Sequence, residues 1–335
     1  MSRLPILLAA TSALALAACE TPVDETAAEA PLVAEAETAT SEVIETVNDA
    51  VGTAETAETD MVDTLATDDH AEMVAADKLA AVLAAQPDDV QARYDQRNPA
   101  ETLAFFGIEP GMTVAEGLPG GGWYTKILLG YVGEEGKVIG AHYPDPIWAK
   151  FQPDNAEWQA ERIEATANWP NTAAEWAVEG AASIGSYTMT AAPEDLKETV
   201  DAVLFIRALH NLHRFNADTG WFDDTLAETF ALLKPGGVVG VVQHRAPEAN
   251  ADAWAAGNAG YLKQSRVIEA FEAAGFVLDG SSEINANPAD TPTEEDVVWR
   301  LSPSTATTEE GTPEREAIEA IGESDRMTLL FRKPV

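Results

Sequence analysis

Two stretches of the chain gather residue types that do chemistry. Arg207, His210, Asn211, His213 and Arg214 follow the apolar run Ala202–Ile206, and His244 and Arg245 close a second run that starts at Val238. A histidine near its ordinary pKa of about 6.5 suits proton removal from a nucleophile. A guanidinium fork suits an anionic group. His210 is the candidate general base, Asn211 the candidate for positioning a substrate, and Arg207 the candidate for holding an anion. The alternative is a hydrogen-bonded network that caps the sheet. The second stretch runs Val114-Ala115-Glu116-Gly117-Leu118-Pro119-Gly120-Gly121-Gly122-Trp123-Tyr124-Thr125. Glycines let a backbone approach a ligand and adopt positive φ, and a helix start offers free N–H groups and a positive dipole end. Glu116 can orient those amides or accept hydrogen bonds. The chemistry this fits is a nucleotide-type site; a tight turn that only packs helix on sheet is the plainer alternative.

Other chemistries are weaker. His210 and His213 stand three apart, with His244 as a possible companion, but spacing places no third ligand, so no metal is expected. Ser183 and Ser186 flank Gly185, yet there is no Gly-x-Ser-x-Gly turn for a nucleophilic serine. Trp123, Tyr124, Trp148, Trp158, Trp169 and Trp176 could shape an apolar pocket, although core packing explains them better.

These residues need a frame. Ala75–Ala85 and Pro99–Phe106 read as helices, the second with Asn98 as N-cap and Pro99 at N1. Strands then alternate with helices. The strands are Thr113–Gly117, Lys137–His142, Ser183–Met189, Ala202–Arg207, Val238–His244, Phe276–Glu283 and Arg326–Lys333. Helical patterns cover Trp123–Val132, Trp148–Glu164, Trp221–Leu233 and Ser265–Ala274, with Lys234-Pro235-Gly236-Gly237 closing the third and Gly275 the fourth. Apolar strands separated by helices predict an α/β fold with a mostly parallel sheet covered on both faces. The glycine turn follows its first strand, where such folds bind ligands. Asn287–Pro303 and Ser304–Asp325 form a long excursion before the last strand. Its first half is expected to lid the site, and its second half to add an exposed helix near Thr312–Ile321.

The turn, together with Asp201-Ala202-Val203-Leu204 and Leu233-Lys234-Pro235-Gly236-Gly237, resembles the class I S-adenosylmethionine-dependent methyltransferases. The pattern is similar to that of an exported subgroup of predicted methyltransferases in Arg97–Gly107, Pro119–Thr125, Arg207–Asn211, Asn287–Asp290 and Val298–Leu301. The resemblance spans about Val90–Pro334. It implies a Rossmann-like, seven-stranded, mostly parallel sheet whose last strand inserts antiparallel, and S-adenosylmethionine as cofactor. It implies that Glu116, Gly117, Pro119, Gly120, Gly121, Gly122 and Thr125 line the cofactor site, with the methionine end at Glu116, Gly120 and Gly122. Two positions depart from the pattern. Leu118 stands where the family turn has glycine, and His142 stands near the place of the acid that binds ribose hydroxyls.

The rest of the chain concerns address. Met1–Cys19 has one positive charge, Arg3, then an apolar stretch from Leu4 to Ala18, which is the build of a signal peptide. Leu16-Ala17-Ala18-Cys19 resembles a bacterial lipoprotein signal, which implies cleavage before Cys19 and lipidation of this single cysteine. The tether, residues 20–70, is followed by the folded domain, residues 71–335. Glu20–Val90 carries 19 acids and one base, and residues 20–69 hold no aromatic ring, so the tether reads as solvated and self-repelling. The 335-residue chain carries a formal charge of −37, which argues against nucleic acid as a partner. The expectation is a methyltransferase acting on a small molecule, lipid-anchored on the periplasmic face of a bacterial membrane. The alternatives are a catalytically inactive relative that binds a ligand or an envelope partner, and a purely structural lipoprotein.

Overall fold

The computed structural model describes His70 and residues 72–335. The expected signal peptide, Cys19 and all of the tether but His70 lie outside the described residues.

Helix α1 (72–84) buries Leu79 and Leu83. Short helices α2 (Asp88–Gln91), α3 (Tyr94–Arg97) and α4 (Pro99–Phe105) follow. Pro99 sits at the start of α4, where its missing N–H costs nothing. Asn98 does not cap it by side chain: its φ is +40°, and Nδ2 donates to the Ile284 carbonyl at 2.7 Å.

The sheet begins with β1 (Thr113–Gly117), α5 (Trp123–Val132) and β2 (Lys137–His142). The predicted helix over Trp148–Glu164 is two, α6 (Ile147–Phe151) and α7 (Ala156–Ala167), interrupted around Pro153. Next come α8 (Trp169–Ala174), β3 (Ser183–Thr188), β4 (Val200–Ile206), α9 (Leu209–Thr219) and α10 (Trp221–Leu232). β5 (Leu233–Ala246) absorbs the Lys-Pro-Gly-Gly turn: its pairing with β4 jumps from Val200↔Leu233 to Ala202↔Val238. A two-residue β6 (Leu262–Lys263) pairs with the end of β5, and α11 (Gln264–Ala273), β7 (Val277–Ser282), α12 (Pro313–Ile321) and β8 (Arg326–Arg332) complete the domain. α12 buries none of its residues, as expected for the second half of the excursion.

Seven strands run in the order β3-β2-β1-β4-β5-β8-β7. All neighbours are parallel except β8, which lies antiparallel between β5 and β7. This is the Rossmann-like arrangement the sequence predicts. Alternate residues feed two cores. Val114, Val138, Ala202 and Leu204 face α1 and α5, whereas Ala115, Ile139, Val203 and Phe205 face α9, α10 and α11. The direction of winding reverses between β1 and β4, so the crevice where such sheets bind ligands opens above the carboxyl ends of those two strands. No helix among the described residues is long and apolar enough to cross a membrane.

Candidate functional site

The turn after β1 keeps a backbone that glycine normally supplies. Leu118 has φ +54°, and its N–H donates to the Ala141 carbonyl at 2.7 Å, tying the turn to β2. A left-handed leucine costs about 1 kcal/mol. Gly120 and Gly122 also have positive φ, and the buried Pro119 accepts from the Gly122 N–H at 2.9 Å. The glycines divide by task. A Cβ on Gly117 would lie 2.6 Å from the Phe205 ring, and one on Gly122 would lie 2.1 Å from Trp176, so both are required by packing. A Cβ on Gly121 would meet nothing within 4 Å, and one on Gly120 only the Leu118 carbonyl at 3.8 Å. Open space therefore lies over Gly120 and Gly121.

Glu116 is spent inside the fold. It accepts a hydrogen bond from the Thr125 hydroxyl at 2.6 Å, which ties the end of β1 to the first turn of α5. Burial pushes its carboxyl up to about 8, against the opposing pull of Thr125 and Arg207. A protonated acid bonded to Thr125 is not the free carboxylate expected to orient the turn amides. His142 is also displaced from its expected role. Its Nε2 lies beside Gly140, and its ring packs edge-on against Trp169 at 5.3 Å, leaning back along β2 instead of reaching the rim. Burial lowers it to about 4, so it is neutral, and Nε2 has no partner.

The polar rim is real but rearranged. Arg207, at the end of β4, holds φ +61° with its N–H on the Val242 carbonyl at 2.7 Å. It lines a cavity of about 240 Å³ with Leu118, His244, Trp299, Glu323 and Ser324. His244 Nδ1 pairs with the Ser324 hydroxyl at 2.5 Å, which leaves Nε2 as the atom it can offer. His210 sits behind His244, ring centres 5.7 Å apart, and 6.1 Å from Trp299. Gly257, in the loop between β5 and β6, packs onto its carbonyl; the side chain is buried, and burial lowers it to about 4. The expected exposed base near pKa 6.5 is thus an uncharged interior histidine. Burial likewise takes His244 well below 6.5, helped by His210 and Arg207. Asn211 lies near Tyr143 with its Oδ1 buried and unpartnered. His213 bonds the Ala256 carbonyl at 2.9 Å, and Arg214 is exposed over Phe215. Arg245 turns to Asp325 and Glu283, away from this cavity.

The sequence reading missed the largest feature. Glu323, with its side chain 3% exposed, gathers four arginines. Its Oε1 accepts from Arg93 Nε at 2.9 Å and Arg97 Nε at 3.2 Å, its Oε2 accepts from Arg326 at 3.1 Å, and Arg207 stands 3.7 Å from Oε2. These groups come from α2–α3, the end of β4 and the start of β8, and no local spacing links them. Trp299, in the segment expected to cover the site, lines the cavity, while the tryptophans singled out from sequence as pocket-shaping pack elsewhere: Trp148 on Trp158, Trp169 on His142, Trp176 on Gly122. The excursion supplies Val298, Trp299 and Leu301–Ser304 to the wall of the cavity. Val298 and Leu301 are buried, and Asp290 anchors the segment by accepting from Arg300 at 2.7 Å, Tyr261 at 3.1 Å and the Asp325 N–H at 3.0 Å.

No family profile matches the chain, and no curated protein matches it in sequence. Several solved structures resemble it. The [4+2]-cyclase SpnF is 16% identical over 72% of this chain and 81% of that one, with a TM-score of 0.45. A SAM-dependent methyltransferase from Aquifex aeolicus is 18% identical over 60% and 93%, at 0.39. Geranyl diphosphate C-methyltransferase from Streptomyces coelicolor A3(2), in complex with Mg2+, geranyl diphosphate and S-adenosyl-L-homocysteine, is 14% identical over 76% and 87%, at 0.42. All three are distant in sequence and in backbone.

Proposed function

We propose that this chain is an S-adenosylmethionine-dependent methyltransferase acting on a small molecule at the bacterial cell envelope. The observation that carries the reading is the open space over Gly120 and Gly121, above the switch point and next to the cavity lined by Leu118, Arg207 and His244. Gly120 and Gly121 would let the methionine end of the cofactor approach the backbone, with the start of α5 presenting N–H groups to its carboxylate. The cofactor supplies an electrophilic methyl group. The protein's own residues do the rest. Arg207 orients an acceptor, Trp299 and Leu118 exclude water, and His244 Nε2 receives a hydrogen bond from the acceptor's nucleophilic atom. Its neutrality at physiological pH keeps that nitrogen an acceptor. His210, out of reach behind it, supports the ring.

Titrating S-adenosylmethionine and S-adenosylhomocysteine into the full chain by calorimetry tests this. Micromolar binding that Gly121→Val abolishes is the expected result. No binding up to about millimolar concentration favours the second reading, a relative that has lost its methyl donor and binds another ligand. Leu118 at the turn and the withdrawn His142 are the observations behind that alternative. The location is part of the proposal: Cys19 is the lipidated residue of a periplasmic lipoprotein, and residues 20–70 are its acidic tether. Incorporation of labelled palmitate that disappears in Cys19→Ser is the expected outcome.

A further inference from the structure

Glu323 has two oxygens and four arginine neighbours. Three of them take the hydrogen bonds, and Arg207, at 3.7 Å, is left outside hydrogen-bond distance. Two of the four guanidiniums are nearly sealed, with the side chains of Arg97 and Arg326 6% and 3% exposed. Arg93 and Arg207 are about a quarter exposed. Four positive charges face one carboxylate. The other acid close by, Glu116, keeps its proton at neutral pH because burial raises it to about 8. A surplus of positive charge with so little water around it calls for a counter-anion. The chain's formal charge of −37 makes the contrast sharper.

The backbone adds an independent sign. Arg207 holds φ +61° and Leu118, on the same cavity, holds φ +54°. Neither residue type adopts this region without cost, and such strain persists where the surroundings impose it, commonly at ligand sites. Here it falls on the residue that carries the one guanidinium of the four without a hydrogen-bonded carboxylate and that lines a cavity of about 240 Å³. Leu118, Ile206, Val298 and Trp299 give that cavity an apolar wall, and Glu323, His244 and three serines also line it. Arg207 and the apolar wall therefore share one cavity whose lining is mixed.

We propose that Arg207, backed by Arg93, Arg97 and Arg326 around Glu323, forms an oxyanion subsite for the carboxylate or phosphate of a small amphipathic molecule, whose apolar body lies against Leu118, Ile206 and Trp299. That this molecule is the methyl acceptor rests on the methyltransferase reading; the subsite itself does not. Arg207 presents two parallel N–H groups to the anion, and the sealed arginines hold the local potential positive. Glu323 fixes the arginines in place without neutralising them.

The test is calorimetric titration of the full chain with phenylacetate, its neutral isostere phenylacetamide, and inorganic phosphate. Phenylacetate is expected to bind about tenfold more tightly than phenylacetamide, the worth of a charged hydrogen bond. Arg207→Gln is expected to reduce that preference to about twofold or less. Ser304→Glu, which places a negative charge on an exposed residue at the mouth, is expected to weaken phenylacetate several-fold and leave phenylacetamide unchanged. The second variant serves if the first folds poorly. Weaker competition by phosphate than by phenylacetate marks a carboxylate site, and the reverse a phosphate site. Equal affinity for acid and amide, or a preference that both variants leave intact, overturns the proposal. S-adenosylhomocysteine titrated into the same samples separates the two readings. If it binds while acid and amide are not distinguished, the methyltransferase stands and the anion subsite falls. If the acid is preferred while S-adenosylhomocysteine fails to bind, the subsite stands and its role as acceptor site falls.

Discussion

Gly121 and Gly122 are adjacent and identical in type, yet substitution should have opposite consequences. Gly121 faces open space with an ordinary φ, so Gly121→Val should leave stability within about 0.5 kcal/mol of the parent while removing cofactor affinity. Gly122 combines φ +74° with the Trp176 ring, so Gly122→Val should destabilise by about 3 kcal/mol or more in denaturant unfolding. Loss of ligand binding in Gly122→Val would therefore say little about the ligand. Glu116 provides a second residue-scale prediction. Its folded pKa of about 8 lies above the ordinary carboxyl value, so the native state holds a proton that the unfolded chain releases. That contribution is complete below about pH 4.5 and is lost as pH rises through 8, by about 1.4 kcal/mol per pH unit. Glu116→Gln keeps the Thr125 contact without a titrating group. The variant should gain on the parent steadily between pH 5 and 8 in urea midpoints, and a constant difference would contradict the burial argument. The glycine turn was legible in sequence because strand, turn and helix start are contiguous. The roles of Glu116 and His142 were not, because a partner nine residues away and a tryptophan from α8 decide where those side chains point.

At the scale of elements, the strand and helix pattern was readable nearly throughout, since β1, β2, β4 and the middle of β5 are largely buried apolar runs, whereas the half-exposed β3 and β7 carry a weaker signal. The misreadings lie where local chemistry gives two answers. Lys234–Gly237 closes α10 as its composition predicts, and it also bulges within β5 between the pairs Val200↔Leu233 and Ala202↔Val238. The segment Asn287–Ser304 has no periodicity, so its role as cavity wall was readable only as a long excursion. What fixes it is Asp290, a buried carboxylate with three donors from three separate parts of the chain. Asp290→Ala leaves the Arg300 guanidinium half-paired and two donors unmet. It should cost about 3 kcal/mol in chemical denaturation and loosen the Trp299 wall, which tryptophan fluorescence can follow. Asp296, a third exposed, also pairs with Arg300, and Asp296→Ala should cost no more than about 1 kcal/mol.

At the scale of the molecule, the arginines around Glu323 and the strand order share a cause. Residues separated by 230 positions meet because β8 enters the sheet antiparallel, and its first residue, Arg326, is a member of the cluster. Nothing local in the sequence announces such a meeting, so the anion subsite could not be read from spacing. Among the described residues, β7 has β8 as its only partner in the sheet, and β8 is made after every other strand. A nascent chain that has delivered β1 through β7 therefore still displays an unpaired edge and has no closed cluster. Closure waits until synthesis has passed residue 332, and every earlier intermediate remains open to chaperones and proteases. The arginine cluster around Glu323 and the sheet are thus completed in one late, shared step.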